Sequence, residues 1–416
     1  MKIDKESKYV LLNRLFLSLG VLLFIRVGTF FPVPGINHSD LAFYIQRHSV
    51  AKNLLSTFSG DNTFVIGLFT LNIFPYINAT IFVQLLLGFS PKLAKLQKEG
   101  DLEGRRSITR LTRFITLIWA IIQSFGVTFY LKKILFDWNY FLAFETIVWL
   151  TTGSMIVLWL SELISDYGLG NGPSLLIYTN IISNLPNLFK KLILENSDNF
   201  NSFSIIIISL LVFSALYGIV LLQEGTRQIP LISSKQLNQS ELQYVTINYL
   251  PVRFNQAGIM PIILTTAILV IPNYIINLGI FQWLNFLTAF KFVSWVYWIG
   301  YFGLILIFST FYSSIILNPK DISDQLQKMA VTIPGIRPGV QTTFYLKQVI
   351  KRITLIGGTL LATLTVVPNF IESTLNITGL NGLSTTSLLI LAGVVLDLIR
   401  EIKNIYYSNV YNNIYP

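Results

Sequence analysis

The stretch Asn53–Phe89, NLLSTFSGDNTFVIGLFTLNIFPYINATIFVQLLLGF, decides the fold. It is apolar enough for a membrane, yet long for one span and broken in its middle. Ser56, Thr57, Ser59, Gly60, Asp61 and Asn62 make its first part a poor lipid-facing helix. Pro75 then interrupts it. Proline suits the first turn of a helix and lacks the backbone donor that an interior position needs. The pattern predicts a short, semi-polar half-helix over about Leu54–Leu71, then a true span over about Asn72–Phe89. A half-helix at membrane depth must be buried in protein or line a cavity, because lipid cannot satisfy loose backbone groups. The other spans are therefore expected to form a shell around it.

Composition agrees. The chain has 416 residues, 53% hydrophobic and only 12% charged, and its mean hydropathy is +0.61. A soluble domain carries roughly 25% charged residues. The fold class expected is an all-α polytopic membrane protein. Apolar runs near the spanning length of about 20 residues fall at about 11–31, 72–89, 114–131, 141–161, 173–189, 203–222, 256–277, 294–317, 349–370 and 384–399. That gives about ten transmembrane helices beside the half-helix. The first run, Leu11–Phe31, reads as a span and not as a cleaved leader. Absence of cysteine excludes disulfides, thiol nucleophiles and cysteine metal sites. His38 and His48 fall in a loop and read as solvated. The wealth of Ile, Phe, Asn, Tyr and Lys suits an A+T-rich genome of the kind found in many organelles.

Basic residues orient the chain. One face carries Lys2, Lys5 and Lys8; Lys92, Lys95, Lys98, Arg105, Arg106, Arg110 and Arg113; Arg227, Lys235 and Arg253; Lys320, Lys328, Arg337, Lys347, Lys351 and Arg352; and Arg400 and Lys403. The other carries Arg47, Lys52, Lys132, Lys133, Lys190, Lys191 and Lys291, a bias of roughly threefold that places both termini on the cytosolic or stromal side. Two long connections on that face, 223–255 and 318–348, read as stiff fingers. Tyr244–Tyr249 and Val331–Gly339 are strand-like beside turn formers. Pro334-Gly335 and Pro338-Gly339 bracket Arg337 at a projecting tip. The glycine-rich turn Ser165–Pro173 is assigned to the opposite face. It lacks the Lys-Ser/Thr of a phosphate-binding loop and reads as a tight helix–turn–helix.

Several chemistries are missing. Coupled transport needs ionisable groups near the midplane, and the spans are nearly free of them: Arg26 is one, and Glu145 and Glu162 sit near span ends. Intramembrane protease constellations are absent, and no repeated filter sequence is visible. No catalytic residue, cofactor or metal site is read. The chain instead places isoleucines at helical spacing beside helix breaks. Ile73 and Ile77 flank Pro75, Ile177 and Ile181 follow the glycine-rich turn, Ile263 follows Met260-Pro261, and Ile390 lies early in the last span. Taken alone these are ordinary packing or lipid-facing side chains.

The ordered motifs change that weighing. Asn72-Ile-Phe-Pro-Tyr-Ile-Asn-Ala-Thr-Ile81, Gln97-Lys-Glu-Gly100 with Glu103-Gly-Arg-Arg106, Tyr167-Gly-Leu-Gly-Asn-Gly172, Asn255-Gln-Ala-Gly-Ile-Met-Pro261, Asn318-Pro319 and Pro334-Gly-Ile-Arg-Pro-Gly339 follow one another. Together they closely resemble the SecY family, the channel subunits of the Sec protein translocase, over essentially the whole chain; the composition suits a plastid-encoded member. The resemblance implies two pseudo-symmetric halves of five spans, about 1–195 and 196–416. It implies a plug over about 54–70, including Leu54, Leu55, Phe58, Ser59, Gly60 and Phe64. A pore ring is implied at Ile73, Ile77, Ile177, Ile181, Ile263 and Ile390. A lateral gate is implied between spans two and three and spans seven and eight. Arg337, Arg227, Lys235, Arg105 and Arg106 match the partner-docking regions. The implied partners are a SecE-like small subunit, a SecG-like subunit, a SecA-like motor ATPase, the ribosome, the translocating polypeptide and the bilayer. The implied location is a plastid thylakoid membrane with stromal termini. The first finger, with only Arg227, Lys235 and Arg253, is less basic than the family leads one to expect.

Physical reasoning fits such a channel. A pore for a varied polymer must pass bulky segments yet retain ions. A narrow ring of branched apolar side chains binds nothing tightly and dewets when empty. The net charge of +10, concentrated on one face, suits anionic headgroups, ribosomal RNA or an acidic motor surface. Two other readings stay open on the residues alone. One is a solute transporter with a discontinuous helix at its site; the other is a membrane scaffold with no conduit.

Overall fold

The computed structural model describes residues 3–34, 66–90, 102–131, 139–194, 202–233, 248–258, 260–262, 264–265, 294–375 and 385–414. The helices are α1 (Ile3–Gly28), α2 (Phe74–Phe89), α3 (Leu102–Leu131), α4 (Tyr140–Tyr167), α5 (Gly172–Leu194), α6 (Ser202–Glu224), α7 (Ser294–Ile316), α8 (Pro319–Lys328), α9 (Val340–Leu375) and α10 (Thr385–Ile414). Three short strands accompany them: β1 (Thr226–Ser233), β2 (Asn248–Arg253) and β3 (Val331–Thr332). The chain divides into two compact units. One is Met1–Leu194 with Val394–Pro416; the other is Glu195–Gly393. Among the described residues five stretches are long and apolar enough to cross a membrane: Leu11–Gly28, Arg106–Phe129, Tyr140–Tyr167, Trp298–Lys328 and Val340–Val367.

In the first unit α3 packs between α2 and α4. Its buried residues recur every four positions: Thr112, Thr116, Ala120, Ser124 and Thr128. Its opposite face exposes Phe114, Ile118, Ile121, Ile122, Phe125 and Phe129. Large apolar groups outside and small hydroxylated ones inside is the arrangement of a helix in lipid, where close backbone approach and interhelical hydrogen bonds replace the hydrophobic drive. The hydroxyls are satisfied locally and across the interface. Ser124 Oγ donates to the Ala120 carbonyl at 2.7 Å and lies 3.1 Å from Thr151 Oγ1 on α4. Thr128 Oγ1 donates to the Ser124 carbonyl at 2.8 Å and lies 3.2 Å from Thr146 Oγ1.

Helix α2 starts at Phe74 with Pro75 in its first turn, as the proline dictates. The half-helix predicted over Leu54–Leu71 is contradicted over its described residues, since 66–67 are non-helical and 68–73 form turns. The reason lies in the backbone pairing just before: Leu68 N–H donates to the Phe31 carbonyl at 2.9 Å, and Val33 N–H to the Ile66 carbonyl at 3.0 Å. Those bonds tie the chain to the segment just after α1 and leave no room for a helix there. Residues 35–65, with all six plug candidates, lie outside the described residues.

The glycine-rich turn corrects a second expectation. It lies at the end of the bundle that carries Thr109, Arg113 and Glu401, with which Gly170, Asn171 and Pro173 line one cleft. It therefore belongs to the basic face, not the opposite one. Alternation of the helices requires this, since the connection after α4 returns to the same end as the one before α3. Counting Lys and Arg could not show it, because the turn carries neither.

In the second unit the two fingers share one sheet, in the order β2-β1-β3. The all-helical expectation thus gains a small β element. The sequence reading placed a strand at Tyr244–Tyr249; the described strand is Asn248–Arg253, and β1 was not expected. Pro230 and Pro251 hide both strands from a propensity reading. In the register Pro230 faces Tyr249 and Gln228 faces Pro251. These pairs have the same parity, so both prolines sit where an antiparallel ladder exchanges no hydrogen bonds. Ile229, Val252, Leu326, Ile333, Leu346, Val349, Ile350 and Ile353 form the core beneath the sheet. A second core joins α6, α7 and α9 through Ile219, Leu222, Tyr301, Ile305 and Leu361.

Candidate functional site

Asn72 organises the region before α2. Its backbone is left-handed, with φ +46, a conformation that asparagine tolerates better than other side-chain-bearing residues. It is 2% exposed, so its polar groups must find partners inside the protein. Its side-chain carbonyl accepts from the Ile73 N–H at 2.8 Å. Its side-chain amide donates to Asn180 Oδ1 on α5 at 3.1 Å. Its backbone carbonyl accepts from Ser154 Oγ on α4 at 3.3 Å. Beside Ser154, Gly153 gives the turn its room: a side chain there would occupy the place of the Leu68 carbonyl.

Those bonds connect α2, α4 and α5 at the isoleucines picked from the sequence. Ile73 follows Asn72 and is 1% exposed; Ile77, one turn on, is 7% exposed. On α5, Asn180 lies between Ile177 and Ile181, both half-buried. Four of the six candidates therefore sit on elements joined by one polar pin within a single unit. Ile390 is half-buried on α10 in the other unit. Ile263 lies outside the described residues. Asn72 and Asn180 themselves were not singled out from the sequence. The available signal was a pair of asparagines in apolar segments, each next to an isoleucine beside a helix break.

At the basic end, Arg113 on α3 grips Glu162 on α4 with two hydrogen bonds of 2.8 Å, Nε to Oε1 and Nη2 to Oε2. Sequence reading noted both residues and did not pair them. The fork geometry is the one guanidinium and carboxylate favour. In the second unit the tip of the second finger is built as the paired Pro-Gly motifs imply. Gly335 and Gly339 adopt φ +76 and +103, values open chiefly to glycine. Ile336 N–H donates to the Ile333 carbonyl at 3.1 Å. Thr342 Oγ1 donates to the Arg337 carbonyl at 2.9 Å, and Ser323 Oγ on α8 to the Gly339 carbonyl at 3.1 Å. Ile336 packs into the core beneath the sheet. The backbone of Arg337 is thus held while its side chain is exposed. Arg227 is exposed on β1, and Arg106 is exposed on the first turns of α3, which also carries Arg105. Lys235 lies outside the described residues.

The family model described as SecY matches residues 67–399. The protein translocase subunit SecY of Trieres chinensis is 60% identical over 425 residues, covering 99% of each chain. Those of Guillardia theta and Porphyra purpurea are 42% and 40% identical, with 98% or more of each chain covered. Among solved structures, a SecY protein whose plug domain stabilises the closed state of the translocation channel has a TM-score of 0.66 at 17% identity, covering 97% of this chain and 94% of that one. The Sec61 of a canine ribosome–channel complex has a TM-score of 0.62 at 18% identity, with the same coverage. At such identities the likeness is one of fold: a mostly helical membrane channel architecture. The family model spans most of the chain and the relatives are matched end to end; this chain belongs to the SecY family.

Proposed function

We propose that this chain is the protein-conducting channel of a Sec translocase, moving unfolded polypeptides across the membrane and releasing hydrophobic helices sideways into lipid. The observation that carries the reading is the pinned break before α2, which sets Ile73 and Ile77 on one buried face beside the α5 segment bearing Ile177 and Ile181. These four, with Ile263 and Ile390, form the pore ring: branched apolar side chains that yield to a passing chain and shed water when it has gone. The plug at about 54–70, with Leu54, Leu55, Phe58, Ser59, Gly60 and Phe64, closes the empty channel. The lateral gate opens between spans two and three and spans seven and eight. The chain is built as two halves, about 1–195 and 196–416.

The channel acts as a conduit, not as an enzyme, and a partner supplies the energy. Arg337 on its braced loop, with Arg227, Lys235, Arg105 and Arg106, forms the docking face for a SecA-like motor or the ribosome. The solved relatives include ribosome-bound channels from canine endoplasmic reticulum and from yeast. A SecE-like and a SecG-like subunit complete the complex. The algal relatives and the composition support a plastid thylakoid membrane, with both termini on the stromal side.

The test is a stalled secretory polypeptide carrying a photoreactive group, offered to the channel in membrane vesicles. Adducts at Ile73 are expected. A solute transporter or a scaffold gives none.

A further inference from the structure

A cleft of about 610 Å³ opens in the first unit, lined by Tyr76, Arg113, Ser161, Glu162, Asp166 and Glu401 among others. Its charge runs against its surroundings. The protein carries a net +10, and this end of the bundle is the basic one. Within the cleft, however, the guanidinium of Arg113 is already committed to both oxygens of Glu162. Asp166 and Glu401 have no ion pair among the described residues and leave the cleft negative.

Two further observations point to a ligand. Ser161 lines the cleft, is fully buried, and its hydroxyl has no hydrogen-bond partner. A buried polar group left so is costly unless something completes it. Tyr76, in the first turn of α2, is also on the wall and brings a phenolic hydroxyl to it. The wall therefore includes the first turn of α2 beside the polar ends of α3 and α4.

The size and chemistry select the ligand. Among the described residues no group of three carboxylates or imidazoles could hold a metal ion. The volume is that of a site for an organic ligand, not for a lone cation. Hydroxyls, an amide and two carboxylates suit the ammonium or guanidinium groups of a peptide. We propose that this cleft is a receiving site for lysine- or arginine-bearing segments of the polypeptide entering the channel, with Asp166 and Glu401 supplying the attraction and Ser161 and Tyr76 completing the hydrogen bonding. The inference rests on the polypeptide-conducting reading above.

The test uses the full chain in phosphatidylcholine nanodiscs and two fluorescein-labelled peptides, one with a lysine cluster and one with glutamine in its place. Anisotropy should show the lysine peptide binding about tenfold more tightly, with the preference fading as ionic strength rises. The double variant Asp166→Asn, Glu401→Gln should lose most of that preference; Glu103→Gln, which removes an exposed acid elsewhere on α3, should keep it. Equal binding of the two peptides, or an undiminished preference in the double variant, overturns the proposal. The crosslink at Ile73 separates it from its premise. Adducts there without any charge preference defeat only the cleft, and a charge preference without adducts defeats only the conducting role.

Discussion

The side-chain amide of Asn72 donates a 3.1 Å hydrogen bond to Asn180, a residue 108 positions later in the chain. This bond fixes where α2 begins relative to α5, because Asn72 also holds the Ile73 N–H and the Ser154 hydroxyl. One residue therefore sets the turn, the helix start and the neighbouring helix together.

Asn72→Ala should destabilise the protein by about 2–3 kcal/mol, combining the cost of a left-handed alanine with the loss of buried hydrogen bonds. Asn72→Gly should recover the backbone part only. Asn180→Ala should cost about 1 kcal/mol, and a double-mutant cycle read by thermal unfolding in detergent should show the two sites to be coupled. Additive effects would break the link between them.

Gly153→Val should cost about 1–3 kcal/mol as overpacking, because its side chain would displace the Leu68 carbonyl. The same measurement checks it. Gly126→Val, whose added group meets nothing within 4 Å, should change stability by less than about 0.5 kcal/mol.

Replacing Ile77 and Ile181 by serine should raise ion conductance of the empty channel several-fold in planar bilayers, since hydroxyls in a narrow neck hold water. An unchanged leak in a folded variant would remove both residues from the ring.

Arg337→Glu should abolish most partner-driven transport in a vesicle import assay while moving stability by no more than about 0.5 kcal/mol, because its side chain is exposed and only its backbone is held. Thr342→Val should weaken transport less, by loosening the loop without altering its charge. Normal import by Arg337→Glu would end the docking role.

Much of the fold was legible because lipid imposes simple rules. Nine of the ten runs of spanning length fall on described helices, the run at 256–277 lies largely outside the described residues, and Pro75 gave the start of α2 to within two residues. The misses have physical causes. The prediction of helix over 66–71 failed because Gly67 and Leu68 pair with the chain just after α1, a contact that no local pattern records. Strand β1 was missed because Pro230 disguises it, and its partner strands come from residues far apart in the chain. The glycine-rich turn was put on the wrong face because counting basic residues says nothing of a connection that carries neither Lys nor Arg. Ile73, Ile77, Ile177 and Ile181 were picked from helical spacing and motif order, and the structure places them on α5 and at the start of α2, which one hydrogen bond joins. The asparagine pair that positions them was not picked, since a single polar residue in an apolar run has no partner until the chain is folded.

The sheet joining β2, β1 and β3 has a mechanical result. Strand β1 continues from the end of α6, β2 and α8 rest on α9, and β3 hydrogen-bonds to β1. A load applied to either projection is therefore shared by both and transmitted to α6 and α9 at once. The two loops form a single handle, so whatever grips one of them has hold of the other.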